Sequence, residues 1–202
     1  MKIVKDISED EVIAVFLKAE IGSFRFGNKI FDELEKDNTS REIIDHPDIS
    51  SQEDNHYRKT LLGKYRGYGL NKELFENFPT DVSWKRVALN KEDLEKLKYI
   101  NYDYWVELSN GSRVVKDGAK SILAGVEIFK QSNKNFFEAA ESLKQGAVFP
   151  EPILVAKNEK TGLVVLEGHL RLTAYFMVPD FIPEQLEVII GFSEGLEKWD
   201  LY

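Results

Sequence analysis

The 202-residue sequence predicts an α+β protein. Three observations carry that reading. Residues 8–78 resolve into successive helical segments. From residue 81 onward, strand and helix signals follow one another. The run Leu163-Val164-Val165-Leu166-Glu167-Gly168-His169-Leu170-Arg171-Leu172 passes from continuous apolar residues through one glycine into apolar residues at helical spacing, as a buried strand does when it turns directly into a helix. The expected organisation is a helical N-terminal region over 1–79 and a mixed domain over 80–202.

In the first region, Ser8-Glu9-Asp10-Glu11 ahead of Val12, Ile13, Val15, Phe16 and Leu17 is a capping box opening an amphipathic helix that ends near Ile21-Gly22. A second helix is expected over 29–36, broken at Asn38-Thr39-Ser40. The tripeptide His46-Pro47-Asp48 matches that of J-domains, but the basic stretch follows it here instead of preceding it, so it is read as coincidence. Residues 52–66 place Tyr57, Leu61, Leu62 and Tyr65 at helical spacing, interleaved with Arg58, Lys59, Lys64 and Arg66, and end at a Gly67 cap. Such a helix offers either a solvated charged side or a basic, aromatic surface for a phosphate-bearing ligand or nucleic-acid strand. A short helix over 70–78 completes the region.

In the second region a strand is expected over 81–89, then a helix over 91–98 capped by Asn90. Tyr99, Tyr102, Tyr104 and Trp105 form an aromatic cluster suited to core packing or to base stacking. Ser109-Asn110-Gly111-Ser112-Arg113 follows, with two hydroxyls, a glycine and an arginine within five residues. It is either a polar surface turn or a second anion-binding loop. Helices are expected over 117–130 and 135–145, then strands around 152–156 and 163–167. The helix after Gly168 is stopped by Pro179, and a last strand spans 186–192.

Composition narrows the function classes. Apolar content of 43% with 31% charged residues describes a globular chain, and no apolar run reaches membrane-spanning length or forms a signal peptide. The absence of cysteine excludes disulfides, thiolate metal sites and cysteine nucleophiles; a cytoplasmic location is expected. Net charge is −8, with 12 basic against 16 acidic residues up to Pro79 and 15 against 19 beyond it. That balance disfavours DNA as a partner. Neither a zinc-binding histidine pattern, nor a Gly-x-Ser-x-Gly elbow, nor a Walker-type phosphate loop is present.

The junction at Gly168 is where chemistry could reside. A helix N-terminus presents backbone N–H groups and partial positive charge, and a glycine admits a phosphate closely. Arg171 in the first turn opposes the helix dipole and calls for an anionic partner, either a ligand phosphate or Glu167 four residues earlier.

Residues 152–174 resemble the core of the ParB/sulfiredoxin-like superfamily: Pro152-Ile153-Leu154-Val155-Ala156, a turn at Asn158-Glu159-Lys160-Thr161-Gly162, the strand ending at Glu167, and Gly168-His169-Leu170-Arg171-Leu172-Thr173-Ala174. The helical run from Phe137 to Gly146 ahead of Pro150-Glu151-Pro152-Ile153 is similar to that family's approach to the strand. The likeness covers about 135–192, with 84–100 as the preceding strand and helix and 101–134 as a helical insertion.

The resemblance implies a small mixed sheet with helices and a Gly-x-x-Arg phosphate cradle made by Gly168, His169, Arg171 and Thr173. It also implies a nucleoside triphosphate or diphosphate with magnesium as ligand. Position 169 is histidine where sulfiredoxins carry the reactive cysteine, which excludes that activity. The chain extends too little past the motif helix for a chromosome-segregation ParB. The remaining expectation is phosphoryl transfer to a small-molecule or protein acceptor, or nucleotide hydrolysis, assisted by Glu167 or His169 with Ser109 and Arg113 completing the pocket. The alternatives are a non-catalytic nucleotide- or partner-binding module and a ParB-like nuclease.

Overall fold

The structure, a computed structural model, describes residues 1–202 and has nine α-helices and one five-stranded mixed sheet, an α+β architecture. The chain divides into two compact units, residues 7–80 and residues 1–6 with 81–202.

The 7–80 unit is helical. Helix α1 (Glu9–Glu20) starts at Ser8, whose side chain accepts from the Glu11 N–H while Glu11 reaches back to the Ser8 N–H, the reciprocal cap expected from the sequence. It buries Val12, Ile13, Phe16 and Leu17; α2 (Gly27–Lys36) buries Ile30 and Leu34, and the single turn α3 (Glu42–Asp45) buries Ile44. Helix α4 (Gln52–Arg66) ends at Gly67, which has φ +82°; a β-carbon there would lie 1.9 Å from the Lys72 carbonyl oxygen. Arg58 does not join a solvated face of α4. It is completely buried and donates to the carbonyls of Ile43 and Asp48 at 3.0 and 2.9 Å, and to the Asn55 side chain. The helix expected over 70–78 contracts to one 3₁₀ turn, Glu73–Phe75, because Asn71 and Asn77 adopt left-handed conformations and the Asn71 side chain caps the Asn77 N–H.

The second unit is built on a sheet ordered β1-β2-β5-β3-β4. Strand β1 (Lys2–Asp6), which the sequence reading leaves unassigned, is an exposed edge strand antiparallel to β2 (Ser83–Leu89). The strands β3 (Ile153–Ala156), β4 (Val164–Glu167) and β5 (Leu186–Phe192) complete it, with β5 antiparallel to β2 and parallel to β3. Alternate residues Val87, Leu89, Leu154, Ala156, Val165, Val188 and Ile190 share a buried core with Leu172.

Between the strands run α5 (Lys91–Leu94), α6 (Asp103–Leu108), α7 (Val115–Leu123), α8 (Lys134–Lys144) and α9 (His169–Met177). Asn90 caps α5 as expected, but the helix stops early, since Lys98 forms bridges to Val114 and Val164 and must be extended. Helix α7 ends seven residues before the expected 130. Gly125 turns the chain at φ +80°, leaving Phe129 exposed. The segment 101–134 contributes Ala119 and Ile122 to a second core with Phe136, Ala140 and Leu143 of α8 and Ala174 and Met177 of α9. No helix is long and apolar enough to cross a membrane.

Candidate functional site

Strand β4 hands the chain to α9 through Gly168 alone. That residue has φ +101° and ψ +17°, and a β-carbon on it would meet Pro152 and the Arg171 guanidinium at 3.1 Å. Both backbone shape and close packing therefore require glycine. No side chain caps α9, whose first closed turn is the Leu172 N–H to the Gly168 carbonyl at 2.9 Å. The positive end of the α9 dipole is thus left without a side-chain cap, and the group lying over Gly168 is a cation.

That group is Arg171. Its guanidinium forms an ion pair with Glu167 at the end of β4. Arg171 is 9% exposed, and its Nε atom is buried with no hydrogen-bond partner. One turn on, half-buried Tyr175 has its hydroxyl pKa raised by burial, against the opposing pull of Arg171.

Aromatic rings set His169. Its imidazole stacks on Trp105 with centroids 4.8 Å apart and planes 17° from parallel, and Trp105 stacks in turn on Tyr99 at 4.6 Å. Tyr104 and Phe136 meet the Trp105 ring edge-on at 4.9 and 6.3 Å. The cluster anticipated at Tyr99–Trp105 is therefore packing, with Tyr102 outside it and largely exposed.

Thr173 does not line a ligand site. It is 0% exposed and donates to the His169 carbonyl at 2.6 Å. Its oxygen is 2.7 Å from the Tyr99 hydroxyl, which therefore acts as the donor in that pair. The expected phosphate set accordingly loses Thr173 to helix and core bonding, while Gly168, His169 and Arg171 stay together at the turn.

The loop over Ser109, Asn110, Gly111, Ser112 and Arg113 folds inward on its own chain. Ser109 Oγ donates to the Trp105 carbonyl at 2.7 Å and accepts from the Arg113 N–H at 2.8 Å. Asn110 is left-handed and reaches Ser121, and Ser112 Oγ is 2.9 Å from Asp117. The Arg113 guanidinium donates to the carbonyls of Tyr99 at 2.7 and 3.0 Å and of Tyr202 at 2.8 Å. Burial lowers its pKa from the ordinary value, and it anchors the last residues against Tyr99. An arginine whose donors are spent on carbonyls offers no cradle, so the second anion loop is a clamp.

Tyr99 links the two places, taking Arg113 on its carbonyl and Thr173 on its hydroxyl, which burial holds well above the usual tyrosine range. The dense aromatic stretch at Tyr99–Trp105 marks it for packing or stacking and not as this link, which ties Tyr99 to residues 14 and 74 positions away. A second ion pair stands near the turn and escaped the sequence reading. Arg86 of β2 holds Glu151, the residue before Pro152, through Nε and Nη2 at 2.6 and 2.8 Å. An arginine inside an apolar strand was its only signal. Comparison with family models, with curated proteins and with solved structures finds no match for this chain.

Proposed function

We propose that the chain binds a nucleotide through its phosphates at the Gly168 turn, as the ParB/sulfiredoxin-like resemblance implies, and that it works in the cytoplasm as a phosphoryl-transfer enzyme. The observation that carries this reading is Arg171: a guanidinium over a left-handed glycine at an uncapped helix start, with one N–H donor buried and unused. A phosphate oxygen would take that donor and share or replace Glu167 on the guanidinium. Glu167, released from Arg171, is the carboxylate nearest the turn in sequence and suits the role of base for an acceptor hydroxyl; His169 would add a donor. Magnesium bound with the nucleoside triphosphate or diphosphate would supply charge neutralisation on the phosphates.

A second reading is a non-catalytic nucleotide- or partner-binding module. It is favoured by the stacked His169 ring, which Trp105 holds in one orientation. A DNA-directed nuclease is disfavoured by the charge of −8.

The deciding experiment is calorimetry of the wild-type and Arg171→Ala proteins with ATP, ADP, CTP and GTP in the presence of magnesium, followed by turnover of labelled nucleotide. Binding that depends on Arg171 supports the cradle, and turnover separates the enzyme from the module. No binding by any of the four rejects both nucleotide readings.

A further inference from the structure

The 7–80 unit carries 10 basic and 15 acidic residues, yet four of its cations collect at one place. An open cavity of about 590 Å³ is lined by Phe24, Arg25, Phe26, Lys29, Lys64 and Tyr65, with Glu73 as its one carboxylate. Around the Phe26 ring stand three cations: Arg66 at 4.7 Å from the centroid, Arg25 at 5.3 Å and Lys29 at 5.7 Å. Arg66 is paired with Glu20, and Lys64 with Glu33 at 2.6 Å. Arg25 and Lys29 form no salt bridge, and each lies over the aromatic face of Phe26. Beside them Phe24 is 92% exposed, its ring open to solvent.

With Lys64 and Arg66 already neutralised, Arg25 and Lys29 repel one another unless an anion joins them. The charge selects a polyanion, and the rings narrow the choice. The carboxylates of an acidic peptide would satisfy Arg25 and Lys29 but supply no aromatic face for Phe24. A single nucleic-acid strand alternates phosphates with planar bases, matching cations set next to an open ring. We propose that this cavity binds single-stranded nucleic acid, with Arg25 and Lys29 on phosphates and Phe24 stacking on a base. The site is separate from the Gly168 turn and does not depend on the nucleotide reading of that turn. With two or three phosphate contacts and an overall charge of −8, binding is weak and short-ranged, in the micromolar range of about 10⁻⁴–10⁻⁶ M that such contacts supply.

The test is fluorescence anisotropy of the full chain with a labelled single-stranded oligonucleotide of about twelve residues across a salt series, with polyglutamate of matched charge as competitor. Phe24 and Arg25 are exposed, so Phe24→Ala and Arg25→Ala with Lys29→Ala leave the fold intact, which circular dichroism verifies. Doubling the salt is expected to weaken wild-type binding about three- to four-fold, as two to three phosphate contacts on a single strand require. Phe24→Ala is expected to weaken it about tenfold. The double variant is expected to flatten the salt dependence. No binding at low salt overturns the proposal. So does a Phe24→Ala protein that binds like wild type, or polyglutamate that competes as well as unlabelled strand; either of these makes the cavity a site for an acidic protein segment.

Discussion

Arg171 and Glu167 form an ion pair across the single glycine that joins β4 to α9, so the cation that the helix dipole disfavours is compensated from within the chain. Both side chains are mostly buried, and the pair therefore competes directly with any anion that would occupy the turn. Two outcomes follow from Glu167→Gln. Stability falls by about 1–3 kcal/mol through loss of a charge-assisted bond. On the proposed nucleotide reading, affinity for magnesium ATP is expected to rise about tenfold by calorimetry, since the competitor loses its charge. Unchanged or weaker ATP affinity would sink the exchange of Glu167 for phosphate.

Gly168→Ala places a β-carbon 3.1 Å from Pro152 and the Arg171 guanidinium at a φ of +101°. The expected loss is about 1–3 kcal/mol in denaturant unfolding. A loss below a few tenths would show that the turn tolerates a side chain and that the glycine is not structurally required.

Thr173→Val keeps the shape of the side chain and removes the hydroxyl between the Tyr99 hydroxyl and the His169 carbonyl. With Thr173 gone, the Tyr99 hydroxyl can turn its proton to the Val115 carbonyl at 3.2 Å, so the expected destabilisation is about 1–2 kcal/mol. Nucleotide affinity is expected to stay at the wild-type value. A large loss of affinity in a folded variant would return Thr173 to the phosphate set.

Arg113→Ala strips the carbonyls of Tyr99 and Tyr202 of their guanidinium donor. The Asn101 N–H, bonded to the Leu201 carbonyl at 2.8 Å, is then expected to exchange with solvent faster, together with the Tyr202 N–H. Hydrogen exchange by mass spectrometry reads this directly. Wild-type protection at both amides would show that the clamp is not what holds the last residues.

Burial raises the hydroxyl pKa of Tyr99 and, with the Glu9 hydrogen bond, that of Tyr68, above the ordinary 10.0. Because the folded state holds these protons more tightly than the unfolded one, their contribution is complete below about pH 10 and is lost as pH rises beyond it. Unfolding measured between pH 8 and 11 should show declining stability above 10, with a shallower decline in Tyr99→Phe. Identical slopes for the two proteins would exclude Tyr99 as a source.

The parts legible in the sequence are local ones. Ser8 with Glu11, Asn90, Gly67 and the apolar run into Gly168 announce their elements because a cap or a left-handed turn is decided within three or four residues. The failures are of two kinds. Residues 70–78 and 124–130 carry helical periodicity that Asn71, Asn77 and Gly125 interrupt by adopting positive φ, a choice that neighbours and not pattern dictate. Strand β1 has no alternation to reveal it, since every residue is exposed, and it becomes a strand only by pairing with β2 some eighty positions away.

By itself the sequence determined the α+β class, most helix starts, the strand core and the junction that places Gly168, His169 and Arg171 together. Only the tertiary structure decided which polar side chains remained available. Arg58, Ser109, Arg113 and Thr173 look alike on paper to any ligand-binding residue, but each meets buried carbonyls or hydroxyls that must be satisfied. A buried polar group left unpaired costs more than a typical hydrogen bond contributes, so partners brought near by folding take these side chains before any ligand can.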